Sequence, residues 1–421
     1  MNMRFNLKHN TPFLVVIADD LTGALDTGIQ FSNAGAKTIT ITKASSQLLS
    51  HYLKRNYEVI SVDASTRHKS AEEASRIVSD IVNECMAFGV KYLYKKTDSV
   101  LRGNIATELI AFMNASKTKL LPYVPAFPDL GRTLRNGTLY IDGKLLLDTE
   151  LGRDPFDKVP SNKISDLFVD SGVTVEDSLS AGYLPEKGER IVIYDAESND
   201  ELDEIASSLI EENYTAFAGC AGFADALSKA FGFIPENNSD FTIKLPMLIV
   251  CGSVNEISKR QLSYEEKHGT GRIRLNEKSL SDNLYFDSQE GSKIIDNIVD
   301  GLYSKGLFIV DTTADSDTPL AKSEISGEKV SASLGELATR LVGKVPGLNL
   351  FIIGGDTLLS FIVKSECFEI EPVAEIEKGI VLSVVHDGKH EINIISKSGG
   401  FGGEDLLSRI LCKYKKQEVI V

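Results

Sequence analysis

Two adjacent carboxylates, Asp19 and Asp20, stand where an apolar run gives way to a helix-like segment, in Ala18-Asp-Asp-Leu-Thr-Gly-Ala24. At such a point carboxylates can accept hydrogen bonds from substrate hydroxyls, and one can take a proton. Helix N-capping accounts for one Asp but not for two. A second cluster, Lys95-Lys-Thr-Asp-Ser-Val-Leu-Arg-Gly-Asn104, sets three cations within eight positions and interleaves them with Thr97, Asp98 and Ser99. That mixture suits a polyhydroxylated anion. Arg102 can grip a carboxylate through two parallel hydrogen bonds, and Lys96 can screen a phosphate in transfer. A solvated loop with local salt bridges is the plain alternative. Arg67, in Asp63-Ala-Ser-Thr-Arg67, follows another apolar run and points to the same sheet edge. Pro125–Gly137 is rich in Pro, Gly and Arg and reads as a lid, a pocket wall or a rigid connector.

In the second half of the chain three apolar runs end in glycine: Cys251-Gly-Ser253, Phe351-Ile-Ile-Gly-Gly-Asp-Thr357 and Lys397-Ser-Gly-Gly-Phe-Gly-Gly-Glu404. Glycine lets backbone N–H groups come close to a phosphate, and a following helix N-terminus adds its dipole. A tight turn explains any one of them; three together point to a nucleotide site. Other signatures are missing from the sequence: no G-x-x-x-x-G-K-[ST], no G-x-G-x-x-G after the first strand, no H-R-D or D-F-G and no G-x-S-x-G. The six histidines (His9, His51, His68, His268, His386, His390) lack metal-ligand spacing, so no metal ligand is assigned.

These residues need elements to hold them. Short β-branched runs alternate with helical periodicity, the pattern of α/β architecture with mainly parallel strands. Strands are expected at Phe13–Ala18, Lys37–Thr42 (one wet face), Glu58–Val62, Tyr92–Tyr94, Leu120–Val124, Ile191–Tyr194 and Thr215–Ala218. Helices are expected from Thr22 to a stop at Gly35, after a Ser70/Glu73 capping box, and over Glu201–Glu212. Asp142-Gly143 signals a hairpin that makes the sheet mixed at its edge. A cluster of Gly, Pro, Asn and Ser over Phe231–Thr242 marks a boundary. The alternation then restarts with strands at Met247–Cys251, Leu307–Asp311 and Leu350–Ile353, and helices at Ile257–Lys267 and Leu334–Val345. His386-Asp-Gly-Lys389 joins a second hairpin, and a last helix begins near Glu404. The reading is two α/β domains, residues 1–235 and 245–421.

Length and composition agree. A chain of 421 residues with 42% hydrophobic and 25% charged residues is ordinary globular material for two domains. With 45 Lys+Arg against 60 Asp+Glu the net charge is −15, which argues against nucleic acid or an anionic membrane surface as partner. The five cysteines are far apart, without a C-x-x-C, and read as buried thiols of a reducing compartment. The run Phe13–Ala18 is too short for a signal peptide and meets acid, and no apolar stretch reaches the ~20 residues of a membrane span. A cytoplasmic protein is expected, with a homo-oligomer allowed.

Taken together, Ala18–Ala24, Lys95–Asn104, Gly354–Thr357 and Lys397–Gly402 resemble the motifs of the four-carbon acid sugar kinases, in order and spacing, from about Leu14 to Leu411. The resemblance implies an N-terminal domain that binds the sugar acid, a C-terminal domain that binds ATP, and transfer in the cleft between them. Carried over to this sequence, it implies that Asp19, Asp20, Arg67, Lys95, Lys96, Thr97, Asp98, Ser99 and Arg102 line the acid site. Ser253, Gly354, Gly355, Asp356, Thr357, Gly399 and Gly400 line the nucleotide site. Asp20-Leu-Thr-Gly23 followed by Asp26-Thr-Gly28 is closer to the D-threonate and D-erythronate branch, since 3-oxo-tetronate kinases tend to carry Phe after the second Asp. The expected reaction is ATP- and Mg²⁺-dependent phosphorylation of a 4-hydroxyl, with Asp20 or Asp98 as base. The rivals are a 3-oxo-tetronate 4-kinase, a phosphotransferase for another polyol, and a two-domain small-acid sensor without catalysis. Both ligands are anions, so a −15 chain must hold them by short-range cations and amides rather than by its overall field.

Overall fold

The computed structural model describes residues 12–42, 46–153, 159–169, 171–180, 188, 190–234, 243–282, 284–312, 326–386 and 391–414. The chain divides into two units, Met1–Asn237 and Asn238–Val421. Residues 235–242 of the expected boundary, the turn at 387–390, and Arg4, Lys8, His9 and His390 lie outside the described residues.

The first unit runs β1 (Leu14–Ala18), α1 (Leu21–Asn33), β2 (Thr38–Ile41), α2 (Ser46–Leu53), β3 (Val59–Asp63), α3 (Ala71–Ala87), β4 (Tyr92–Lys96), α4 (Ile105–Ser116) and β5 (Leu120–Val124). It continues with β6 (Arg132–Arg135), β7 (Thr138–Ile141), β8 (Lys144–Leu145), β9 (Val175–Leu179), β10 (Arg190–Tyr194), α5 (Asn199–Glu211), β11 (Ala216–Gly219) and α6 (Ala221–Ala230). The sheet order is β2-β3-β1-β4-β11-β5-β10-β9, and every pairing is parallel. Helices α1, α6 and α5 pack in one row and α2, α3 and α4 in another. Covered strands read as continuous apolar runs, and β1, Leu-Val-Val-Ile-Ala, is buried throughout.

Two local expectations need correction. β2 has no wet face: all four residues are buried, because α1 lies against it with Gly28 so close that a Cβ there would sit 3.0 Å from Thr40 Oγ1. The Asp142-Gly143 hairpin does form, with positive φ at both residues, but it belongs to a separate antiparallel sheet of β6, β7 and β8. Gly35 ends α1 as expected, at φ 96°.

The second unit runs β12 (Met247–Cys251), α7 (Glu256–Lys267), β13 (Gly271–Arg274), α8 (Glu277–Ser281), α9 (Gln289–Lys305), β14 (Leu307–Asp311), α10 (Gly327–Lys344) and β15 (Asn349–Ile353). It closes with α11 (Gly355–Lys364), β16 (Glu369–Glu377), β17 (Ile380–His386), β18 (Glu391–Lys397) and α12 (Leu406–Tyr414). Its sheet order is β13-β14-β12-β15-β18-β17-β16. Pairing is parallel from β13 to β18 and antiparallel across β18-β17-β16, so the mixed edge lies in this unit.

Both sheets reverse their winding beside their first strand. From β1 the chain goes out to β2 and β3 on one side and to β4 on the other; from β12 it goes to β14 on one side and β15 on the other. In parallel sheets the carboxyl ends at such a switch point are left uncovered by the crossover loops, and ligands bind there.

Candidate active site

In the first unit the carboxyl ends of β3, β1 and β4 lie side by side, with Ala18 in register with Asp63 and with Lys96. Asp20 caps α1, its Oδ1 accepting from Gly23 N–H at 2.8 Å. The loop after β3 is tied to the same corner: the Thr66 and Arg67 amides donate to Asp19 O at 2.9 and 3.2 Å. Asp63 shapes that loop by accepting from the Ser65 amide and hydroxyl, both at 2.8 Å, with Ser65 left-handed at φ 49°.

Arg67 is thereby aimed into a nest of carboxylates. Its Nε lies 2.8 Å from Asp19 Oδ2, Nη1 2.7 Å from Asp20 Oδ2 and Nη2 3.3 Å from Asp98 Oδ2. Asp98 also takes Arg102 Nε at 3.0 Å and Nη2 at 2.7 Å, and the Val100 and Arg102 amides. Lys96 is buried, its ammonium over Gly23: a Cβ on Gly23 would stand 2.7 Å from Lys96 Nζ and 2.6 Å from Asp20 Oδ1. Among the described residues Lys96 Nζ has no ion-pair or hydrogen-bond partner. Arg102 Nη1 is likewise unspent among the described residues.

The carboxylates differ in proton affinity. Burial pushes Asp20 up, only partly offset by Arg67 and reinforced by Asp19. Burial acts on Asp19 too, but Arg67, Lys96 and Lys95 more than offset it and hold it below the usual range. Asp98 is held well below that range against its burial by Arg102 and Arg67. Burial raises Asp63 to about 7 despite its bonds from Ser65. Asp20 alone of these combines a raised proton affinity with an accessible side chain, 22% exposed. That is what a general base needs.

Lys95 must be corrected as a ligand group. Strand alternation sends it to the opposite face from Lys96, where it is fully buried, 2.6 Å from Glu108 Oε2 and bonded to Lys96 O at 2.8 Å. It acts on the site only through the field it adds at Asp19. Thr97 faces the scaffold, its hydroxyl 3.2 Å from Tyr123 Oη, while Ser99 is half-buried on the same turn. Asp63 and Glu108 were not singled out from the sequence. Glu108 had a signal: it shares the apolar stripe of Ile105, Leu109 and Phe112, where an unpaired acid would be untenable.

In the second unit the ends of β12, β15 and β18 are adjacent, with Cys251 in register with Ile353 and Ile353 with Lys397. Gly252 N–H donates to Ile353 O at 3.1 Å and Gly354 N–H to Lys397 O at 3.0 Å. Gly354 has φ 113°, a conformation reserved for glycine, and opens α11. A Cβ at Gly399 would collide with Ser253 Oγ, and one at Gly252 with Thr357 Oγ1. Ser253, Gly354, Gly355, Asp356, Thr357, Gly399 and Gly400 thus gather at one end of one sheet, with α11's N-terminus among them. Lys397 is buried, and burial draws its ammonium down to about 8.

Two switch-point sites, one built from carboxylates and cations and the other from glycines and a helix N-terminus, define a two-ligand α/β enzyme. Residues 14–227 match the family described as "Sugar-binding N-terminal domain", and residues 248–407 "Nucleotide-binding C-terminal domain". The chain is 28% identical over 424 residues to a D-threonate kinase of Salmonella typhimurium, covering 94% of this chain and 96% of the relative. It is 26% identical to a D-erythronate kinase of Heliobacterium modesticaldum (93% and 94% covered). It is 25% identical to a 3-oxo-tetronate kinase of Brucella melitensis (93% and 93%). A solved structure from Salmonella typhimurium LT2 shares the fold at a TM-score of 0.75 and 19% identity, covering 96% of this chain and 100% of the other. The chain belongs to the four-carbon acid sugar kinase family. It is a sugar-acid kinase that uses a nucleotide. Among the described residues no helix is long and apolar enough to cross a membrane.

Proposed function

We propose that this kinase transfers the γ-phosphoryl group of ATP to the 4-hydroxyl of D-threonate or D-erythronate. Residues 1–235 bind the acid and residues 245–421 bind the nucleotide. The observation that carries the reading is the meeting of Asp20 and Lys96 over Gly23: a raised carboxylate beside a buried ammonium that feels the field of Asp19, Asp20 and Asp98 but makes no direct hydrogen bond or ion pair to any described residue. As the oxygen–phosphorus bond forms and the bond to ADP breaks, Asp20 takes the hydroxyl proton. Lys96 stabilises the charge spread over the transferring oxygens. Arg102, through its spare Nη1, grips the substrate carboxylate. Arg67 is fully committed to Asp19, Asp20 and Asp98 and fixes their geometry.

Among the described residues no group of three or more His, Cys, Asp and Glu side chains comes together for a metal. The carboxylates at Arg67 are already engaged by guanidinium. Mg²⁺ would arrive with ATP and would offset the charge on its phosphates, the role this ion commonly fills in kinases. A cytoplasmic setting is supported by the cysteines, all five free thiols and four of them buried.

A coupled ADP-release assay across D-threonate, D-erythronate, L-threonate and 3-oxo-tetronates tests the substrate. Highest kcat/KM is expected with one of the first two. Preference for a 3-oxo-tetronate moves the chain to the other branch, and absence of turnover with all of them overturns the reading.

A further inference from the structure

The turn after β18 is held from behind by side chains. Ser258 Oγ, on α7, donates to Gly399 O at 2.8 Å. Gln261 Nε2, one turn further along α7, donates to Phe401 O at 2.9 Å and Gly403 O at 2.8 Å. From the strand end, Lys397 Nζ donates to Ser398 O at 2.9 Å and Gly399 O at 3.1 Å. Every one of these bonds runs from a side-chain donor to a backbone carbonyl of residues 398–403. All three side chains are essentially sealed from solvent.

Burying an ammonium and an amide is costly unless they are bonded, and a glycine-rich turn needs no such help to form. What the bonds do accomplish is direction. Carbonyl oxygens aimed at a phosphate repel it; here four of them, from Ser398, Gly399, Phe401 and Gly403, are drawn toward α7 and Lys397. Among the described residues, the N–H groups of Gly399 and Gly400 donate to no acceptor. They remain available beside Ser253, whose hydroxyl fills the space a Cβ on Gly399 would need.

We infer that Lys397, Ser258 and Gln261 are positioning residues for the nucleotide: they anchor the carbonyls of the 398–403 turn so that its amides face the nucleotide phosphates. The inference rests on the nucleotide site proposed above. The test uses the full chain and measures KM for ATP, KM for the sugar acid, kcat, and melting temperature with and without ATP. Lys397→Met is expected to raise KM for ATP by about tenfold or more, since a lost charged hydrogen bond is worth about that factor. KM for the acid and kcat at saturating ATP should stay within about twofold of wild type, a split that general destabilisation would not produce. Ser258→Ala, which removes one hydroxyl from a helix, keeps the test decisive if Lys397→Met folds poorly. It should weaken ATP by a few-fold, and Ser258→Thr should restore it. If ATP stabilises wild type and these variants equally, the positioning role is overturned while the nucleotide site stands. If ATP does not stabilise wild type, the nucleotide site itself is overturned, and this inference falls with it.

Discussion

Asn substitution should separate the two candidate bases by different observables. Asp98 is 5% exposed and accepts from two amides and from Arg102 Nε and Nη2, with Arg67 Nη2 at 3.3 Å. Asn at this position keeps one acceptor oxygen but turns an NH₂ toward guanidinium and leaves both arginines short of a counter-charge. Removing one partner of a buried pair costs about 3–5 kcal/mol. Arg102, 20% exposed, retains some solvent, so the lower end, about 3 kcal/mol, is expected. For a unit of this size that is a fall of about 6–12 °C in Tm. Because Asp98 is held below the usual range, its contribution is present at all pH values above the unfolded carboxylate pKa of about 4 and is lost only below it.

Asp20→Asn should do the reverse. Asn caps a helix about as well as Asp, so the bond from Gly23 N–H survives, and Arg67 keeps Asp19 and Asp98. The Asn NH₂ now faces Arg67 Nη1 in place of Oδ2, but at 22% exposure and with Arg67 still paired the loss should stay at about 1–2 kcal/mol, below that of Asp98→Asn. As the base, however, Asp20 should lose at least ~10² in kcat with modest change in KM, about 2.7 kcal/mol of transition-state stabilisation. Thermal melts and coupled ADP-release kinetics on the two variants side by side make the comparison. A near-normal kcat for Asp20→Asn, or an unshifted Tm for Asp98→Asn together with a 10²-fold rate loss, would refute the assignment.

Other substitutions probe the same corner. Gly23→Ala gains about 0.5–1 kcal/mol of helix propensity but disturbs the Asp20 N-cap, worth about the same, so Tm should change little. The new Cβ must still displace Lys96 Nζ and Asp20 Oδ1, lowering kcat by ~10-fold or more, as small misplacements do. Asp63, raised to about 7, holds its proton more tightly folded than unfolded, so its contribution to stability falls as pH rises from about 4 to 7. Asp63→Asn should match wild type in Tm near pH 4 and increasingly exceed it as pH rises toward 8. Lys95→Met should lose about 3–5 kcal/mol in chemical denaturation, whereas Lys95→Met with Glu108→Leu should recover most of it.

Much of the scaffold was legible because its strands are short, apolar and bounded by turn residues. Met247–Cys251 and Leu307–Asp311 match β12 and β14 end for end. The Thr-Ile alternation of β2 misled, since period-two patterning cannot tell a threonine facing water from one held under Gly28 of α1. The Asp142-Gly143 signal identified a turn correctly but could not say which sheet its strands join, because turn chemistry is local and sheet membership is not. At the acid site Asp19, Asp20, Arg67 and Arg102 were visible as unusual charge at strand ends. Glu108 was not, since it acts through a partner, Lys95, on a different element; at the other sheet Lys397 was visible as the start of a glycine motif, but its bonds to the carbonyls of its own turn were not.

By itself the order of residues determined that this chain makes two α/β units, that charge and glycine gather where strands end, and which motifs it shares with sugar-acid kinases. Those properties are local, written in spacing and residue type. Only the tertiary structure decided how the charged groups divide their work. Strand alternation put Lys95 into the core and Lys96 over Gly23; the β3 loop brought Arg67 across to three carboxylates; and burial raised the proton affinity of Asp20 while Arg102 and Arg67 held that of Asp98 below the usual range. The physical reason is that desolvation and Coulomb forces depend on distances across strands and loops, which spacing along the chain does not contain.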